Sequence, residues 1–279
     1  MLRLILEIIM KLRFAKLNPT ENMTILVTDP VPRAQHSAVA EALMAYASVG
    51  GEQVGFLEEP TLPGARMRLQ MMGGEFCGNA TMSLAALLAF QEDLPDGGEA
   101  IYPLEVSGAA EIVNCRIERC GDACRGAVRM PLPEAIREVD FPGGVRCPVV
   151  FFPGIAHAIV REGVLRASDA PRCIEAWCDA CNAEAMGIIL VDDALDRIRP
   201  LVYVRSTQSS VWERGCGSGT AALGAWWAAQ RREDIRIDVS QPGGTICVRA
   251  CWEENRVSEL EIRGAVRLAC TGEAWIESL

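Results

Sequence analysis

The sequence predicts an α+β fold of two pseudo-symmetric halves, each a curved β-sheet or barrel wrapped around one central helix. Three observations predict it. A short motif occurs twice, half a chain apart. Each copy opens a segment that is apolar on nearly every side. The remainder is made of short β-like runs punctuated by glycine and proline. With 279 residues, half of them hydrophobic, the chain can fill one large core or two medium ones.

The repeated motif comes first. Around one cysteine the chain reads Gly74-Glu-Phe-Cys77-Gly-Asn-Ala-Thr81-Met-Ser-Leu84-Ala-Ala86, and around another Glu213-Arg-Gly-Cys216-Gly-Ser-Gly-Thr220-Ala-Ala-Leu223-Gly-Ala225. Aligned on cysteine, the glycine at +1, threonine at +4, leucine at +7 and alanine at +9 coincide. A second echo lies upstream: Asn18-Pro-Thr-Glu-Asn22 runs into Met23 to Val27, and Pro153-Gly-Ile-Ala-His157 runs into Ala158 to Val160. After each Cys-Gly the chain stays apolar, over Met82 to Phe90 and over Ala221 to Ala229. A helix that is apolar all round has to be enclosed.

The other elements follow in order. An amphipathic helix is expected over Gln35 to Ala47, and strands over Gly126–Met130, Val145–Phe152, Gly187–Val191, Leu201–Val204 and Thr245–Arg249. The chain is expected to cross between halves near Met130-Pro131. This divides it into an N-terminal half, 1–130, joined by a returning strand at 268–279, and a C-terminal half, 131–267.

Composition narrows the function. A formal charge of −10 repels phosphate backbones and argues against nucleic acid as a partner. The apolar run Met1 to Met10, broken by Arg3 and Glu7, is too short to span a bilayer and no small-residue cleavage site follows it; Met10 is an alternative start. No membrane partner is expected, and the cytoplasm is the default location. The 12 cysteines are read mostly as thiols, including the groups Cys115, Cys120, Cys124 and Cys173, Cys178, Cys181. The Cys178-Asp-Ala-Cys181 spacing is the zinc-like one, so a cysteine-rich metal-binding protein is the non-enzyme alternative. The expectation is no metal and no cofactor.

A Cys-Gly pair at a helix start is chemically pointed. The first N–H groups of a helix lack internal partners and carry partial positive charge, so they stabilise a thiolate or bind a carboxylate. Glycine after the cysteine lets a ligand approach the backbone, and Asn79 or Ser218 adds a polar side chain. Two such sites facing each other across a cleft suit inversion at an α-carbon, one sulfur removing a proton from one face while the other supplies one to the opposite face. Cys77 and Cys216 are the candidate bases. Asn22 is a candidate for substrate binding or for shaping its loop. Glu213 is a candidate for binding a substrate ammonium or for capping its turn. Glu105, Trp252 and Arg231-Arg232 read as surface or packing residues.

The two cysteine segments resemble the catalytic signatures of the diaminopimelate epimerase and proline racemase superfamily. The resemblance implies a pyridoxal-independent isomerase of two similar halves with the site between them. It assigns the base roles to Cys77 and Cys216, and substrate-carboxylate binding to Gly78, Asn79, Gly217 and Ser218. Two features depart from diaminopimelate epimerase itself: Glu213-Arg214-Gly215 abuts Cys216 directly, and Ile155 and Gly187 stand where asparagines would hold the distal group. The chain is more similar to the histidine racemase branch, which supplies D-histidine for opine-type metallophore synthesis. That likeness covers nearly the whole chain, most specifically in Asn18–Leu26, Gly51-Glu52-Gln-Val-Gly-Phe56, Glu75–Ser83, Gln208–Glu213 and Gln241-Pro-Gly-Gly244. It makes Glu52 the candidate for contacting the imidazole, the alternative being a solvated loop residue, and implies that a small-molecule amino acid is the partner, with a homodimer left open. His157 matches the superfamily histidine and is expected to order its loop. Epimerisation of diaminopimelate or of a hydroxyproline-type amino acid is the competing enzyme reading.

Overall fold

The computed structural model describes residues 9–205 and 208–277; the apolar N-terminal run up to residue 8 lies outside them. The chain forms two compact units, one of residues up to Gly126 together with Val266 onward, the other Ala127–Ala265.

The first unit contains β1 (Ile9–Pro19), β2 (Thr24–Val27), α1 (His36–Met44), β3 (Gln53–Glu58), β4 (Met67–Met71), α2 (Gly78–Gln91), β5 (Glu99–Val106) and β6 (Val113–Cys120). Next, β7 (Ala123–Arg129) carries the chain into the second unit. That unit continues with β8 (Ala135–Phe141), β9 (Val145–Phe152), β10 (Ile155–Arg161), α3 (Ala170–Cys181), β11 (Ala185–Val191), β12 (Ile198–Val204), β13 (Ser209–Trp212), α4 (Gly217–Arg231), β14 (Ile235–Gln241) and β15 (Gly244–Glu253). The long β16 (Arg256–Glu277) then returns the chain to the first unit, where its end pairs antiparallel with β1.

The same plan builds both units. In the first, β2 and β3 pair in parallel with α1 between them in sequence, and β4 and β5 pair in parallel with α2 between them. In the second, β10 and β11 pair in parallel with α3 between them. An isolated parallel bridge, Arg197 to Ser240, stands where the first unit has its β4–β5 ladder. Parallel neighbours cannot be joined by a tight turn, so each needs a helical crossover.

One helix of each unit packs on an outer face of the sheet, and the other is enclosed. On α1, Val39 and Leu43 meet Ile25, Val27, Val54 and Phe56. On α3, Ile174 and Trp177 meet Ala156, Ala158, Met186 and Ile188, and the Trp177 indole stacks on Phe141 at 4.0 Å. By contrast α2 is buried continuously from Gly78 to Ala89, against β1, β2, β5 and β6, and α4 lies against β9, β10, β14 and β15. This is the curved sheet around a central helix that the all-round apolar segments predict.

Small residues let strand side chains pack closely on these central helices. A Cβ built on Gly224 of α4 would lie 2.6 Å from a methyl of Val248 on β15. Gly224→Ala is therefore expected to lower stability by about 1–2 kcal/mol in a denaturant titration, the clash outweighing the helix propensity that alanine adds. Unchanged or increased stability would show that the two backbones separate at little cost.

One local expectation is corrected, and two that were left open are filled in. The α1 helix stops at Met44, because Ala45 turns to extended backbone and the Gly50 N–H closes the loop onto Leu43 O at 3.0 Å. Cys173, Cys178 and Cys181 lie on α3, a helix the cysteine spacing obscured. Its signal was Pro171 in the first turn and an apolar stripe of Ala170, Ile174, Trp177 and Cys178. Cys178 is buried and donates to Ala183 O at 3.1 Å. Of the surface and packing readings of Glu105, the structure takes packing: it is buried and accepts from Thr61 N, Thr61 Oγ1 and Leu62 N while pairing with Arg68. Burial by itself would raise its pKa, but those donors and Arg68 outweigh it and hold the carboxyl down at about 2. Among the described residues no helix is long and apolar enough to cross a membrane, and no three His, Cys, Asp or Glu side chains converge on a metal position.

Candidate active site

In the first unit the site begins at the N-terminus of α2. Cys77 is the N-cap, extended at φ −132° and ψ 110°, and its Sγ accepts the Ala80 N–H at 3.4 Å. Thr81 explains the threonine of the repeated motif: its Oγ1 donates to Cys77 O at 2.7 Å and its N–H to the same oxygen at 2.9 Å. The hydroxyl thereby clips the cap residue to the first turn. Upstream, Ser107 Oγ donates to Glu75 O at 2.8 Å, and Gly108, at φ +73°, sits so close to the backbone of Phe76 that a Cβ would collide with it.

Asn22 arrives from the opposite direction. Asn18 Oδ1 accepts the Glu21 N–H at 2.6 Å, and Thr20 and Glu21 both take positive φ, so Asn18-Pro-Thr-Glu-Asn22 closes a tight turn. The turn buries Asn22, whose Nδ2 donates to Glu52 Oε2 at 2.7 Å. Its Oδ1 accepts from Asn79 Nδ2 at 3.0 Å and from Gln53 Nε2 at 2.7 Å. Gln53 Nε2 also donates to Thr24 Oγ1 at 2.7 Å, and Gln53 Oε1 accepts from the Cys77 thiol at 3.1 Å. Asn22, Glu52, Cys77 and Asn79, predicted from three separate motifs, thus join one hydrogen-bonded cluster, with Gly78 the first residue of α2 beside them. Gln53 was missed. It stood in a quoted motif, but nothing local marks which of two neighbouring polar residues faces the cysteine; the Thr24–Gln53 register of β2 and β3 decides that.

The second unit repeats the cap. Cys216 caps α4, and its Sγ accepts the Gly219 N–H at 3.2 Å and lies 3.5 Å from Ser218 Oγ. Thr220 Oγ1 donates to Cys216 O at 2.6 Å. Gln241, also missed, accepts the Cys216 N–H at 2.7 Å and donates to Thr220 Oγ1 at 2.8 Å, which gives the Gln241-Pro-Gly-Gly244 motif a structural role. Gly217 opens α4 and is buried, while Ser218 is half-buried. Arg214 reaches toward the same turn, donating to Pro242 O at 3.4 Å. Burial pushes the Cys216 thiol well above its ordinary pKa, and the neighbouring Glu213 carboxylate pushes in the same direction.

His157 does not order its loop through hydrogen bonds. The ring is fully buried and both nitrogens lack a hydrogen-bond partner among the described residues. It lies directly over Gly187, its partner across β10 and β11. Burial lowers its pKa to about 3, so the imidazole is neutral.

Each unit therefore offers a thiol at the positive end of an enclosed helix, with polar groups beside it that suit a small zwitterion. The family profile described as "Histidine racemase CntK N-terminal domain" matches residues 11–275. The chain belongs to the histidine racemase family. It is an isomerase, of the amino-acid racemase class. A histidine racemase of Staphylococcus aureus is 31% identical to this racemase over 277 residues, covering 95% of this chain and 98% of its own. One from Fusobacterium nucleatum is 31% identical over 273 residues, covering 95% and 97%. Among solved structures, a hydroxyproline epimerase from Agrobacterium vitis with bound trans-4-hydroxy-L-proline is similar at TM-score 0.70. The match spans 96% of this chain and 93% of that one, and at 14% identity it speaks for the fold.

Proposed function

We propose that this racemase interconverts L- and D-histidine without a cofactor, using Cys77 and Cys216 as its two acid–base groups on opposite faces of the α-carbon. The observation that carries the reading is the repeated cap: in each unit a cysteine accepts the +3 N–H of a buried helix and is clipped by the +4 threonine. One sulfur, as thiolate, takes the α-proton. The C–H electron pair moves into the carboxylate, and the opposing thiol delivers its proton to the other face. The N–H groups at Gly78, Asn79, Gly217 and Ser218 are the proposed carboxylate cradle, where charge develops as the proton leaves. Glu213, beside Cys216, is the proposed partner of the substrate ammonium, and Asn22 braces Glu52 for the substrate side chain.

Glu52 supports histidine as substrate. A carboxylate accepts an imidazole N–H and repels an acidic side chain. The Glu52→Ala variant should lose affinity for histidine about tenfold or more, as expected for a charged hydrogen bond, with the fold intact by circular dichroism. An unchanged KM removes Glu52 from recognition. The substrate itself is tested by incubating the enzyme with single L-amino acids in D₂O and following α-deuterium incorporation. Rapid exchange is expected with histidine; rapid exchange with diaminopimelate or hydroxyproline, and none with histidine, would overturn the assignment. Because the Cys216 thiol is held above its ordinary pKa, less thiolate is present at neutral pH. The value of kcat/KM should therefore climb as pH rises above neutrality and fall once both thiols are ionised and the proton donor is gone.

A further inference from the structure

We propose that Gln53 is a positioning residue that holds Cys77 as a thiol in the resting enzyme, its S–H aimed at the Gln53 carbonyl. The inference rests on the two-thiol reading above for its functional meaning, but the hydrogen-bond polarity stands on its own.

Amide orientation usually has to be assigned from the surrounding network, and here the network leaves one answer. Glu52, as a carboxylate, can only accept, so the Asn22 group facing it at 2.7 Å is the amino group. This turns Asn22 Oδ1 toward Gln53, where it also receives the Asn79 amino group at 3.0 Å. Thr24 directs its hydroxyl hydrogen to Asn22 O at 3.1 Å, so toward Gln53 it presents a lone pair. Gln53 thus meets two acceptors at 2.7 Å each and must place its amino group between them. Its carbonyl is left pointing at Cys77 Sγ, 3.1 Å away.

A carbonyl oxygen accepts and never donates. A thiol satisfies it, whereas a thiolate would set a full negative charge against its lone pairs. The Ala80 N–H at the other side of the sulfur, 3.4 Å away, is compatible with either form. Glu52, Asn22, Gln53 and Cys77 therefore form a relay in which an ionised carboxylate at one end fixes the polarity of the sulfur contact at the other. The nearby titratable groups are Glu52, reached through Asn22 and Gln53, and Glu75 on the entry loop, which bonds its own backbone N–H and that of Gly73. At Cys216 the sulfur meets the Glu213 carboxylate, and Gln241 directs its carbonyl to the Cys216 backbone N–H. The two caps share a backbone and differ in what their sulfurs meet.

The test is the pH dependence of Cys77 alkylation by iodoacetamide, read on its own peptide by mass spectrometry, in the wild-type enzyme, Gln53→Met and Gln53→Glu. Methionine keeps the length and removes the acceptor. Its alkylation midpoint should move to lower pH, and the rate at pH 7 should rise roughly fivefold, the size of one neutral hydrogen bond. In Gln53→Glu the added carboxylate should move the midpoint to higher pH. In both variants kcat should fall more than KM changes. A midpoint that stays in place or moves up in a folded Gln53→Met overturns the proposal; if that variant fails to fold, a midpoint that does not rise in Gln53→Glu does so. This readout is independent of the catalytic reading. A midpoint shift in an enzyme whose Cys77→Ser variant still racemises would leave the relay standing and remove the two-thiol mechanism.

Discussion

Cys77→Ser and Cys216→Ser are each expected to lose racemisation by about 10³-fold or more while retaining the wild-type circular dichroism spectrum. Serine can keep the cap, since a hydroxyl oxygen accepts the +3 N–H as well as sulfur does and serine is a preferred N-cap residue. What it cannot do is ionise near neutrality or hand over a proton as readily as a thiol. The substitution therefore separates the two jobs of the cysteine, capping and proton transfer. Loss of activity with loss of structure would assign only the first job. Turnover near the wild-type rate in either single variant would remove that cysteine from the chemistry.

Gly187→Ala is expected to cost about 2–3 kcal/mol of stability, measured by denaturant unfolding. The new methyl group would run into Nδ1 of His157, which is fully buried and has no room to retreat. The same face of β11 carries Ile189, whose methyl would lie 2.7 Å from a Cβ on Gly219 in the first turn of α4. Displacement of the His157 ring should therefore also disturb the Cys216 cap and reduce kcat. The double variant Gly187→Ala with His157→Ala relieves the clash, so a coupling of at least about 1 kcal/mol is expected between the two changes. Strict additivity would mean that the ring and the glycine do not constrain each other.

The two enclosed helices were legible because their cause is local. Each begins at Cys-Gly, carries threonine at +4 and stays apolar on every side, and such a segment has few places to go in a folded chain. The strands over Val145–Phe152 and Gly187–Val191 were legible for a similar reason. The α3 helix was not read, because its cysteines drew attention to metal spacing rather than to the apolar stripe they belong to. For Glu105 the choice between surface and packing stayed open in the sequence, because a lone charged residue gives no local sign of the Thr61 and Leu62 amides that surround it.

Within the candidate site the split follows the same line. Asn22, Glu52, Cys77 and Asn79 could be nominated from their motifs, and the structure gathers them in one cluster. Gln53 and Gln241 could not, since their roles depend on contacts 24 and 25 residues away in sequence.

By itself, then, the sequence determined the fold class, the repeated plan and the two cysteines worth testing, because hydrophobic periodicity and a cap motif are written in consecutive residues, while the racemase family came from the resemblance of those motifs to a known family. Only the tertiary structure decided which way the Gln53 amide faces, how the His157 ring is sealed over Gly187, and which carboxylates are buried. Those properties belong to pairs of residues, and strand register brings the members of each pair together.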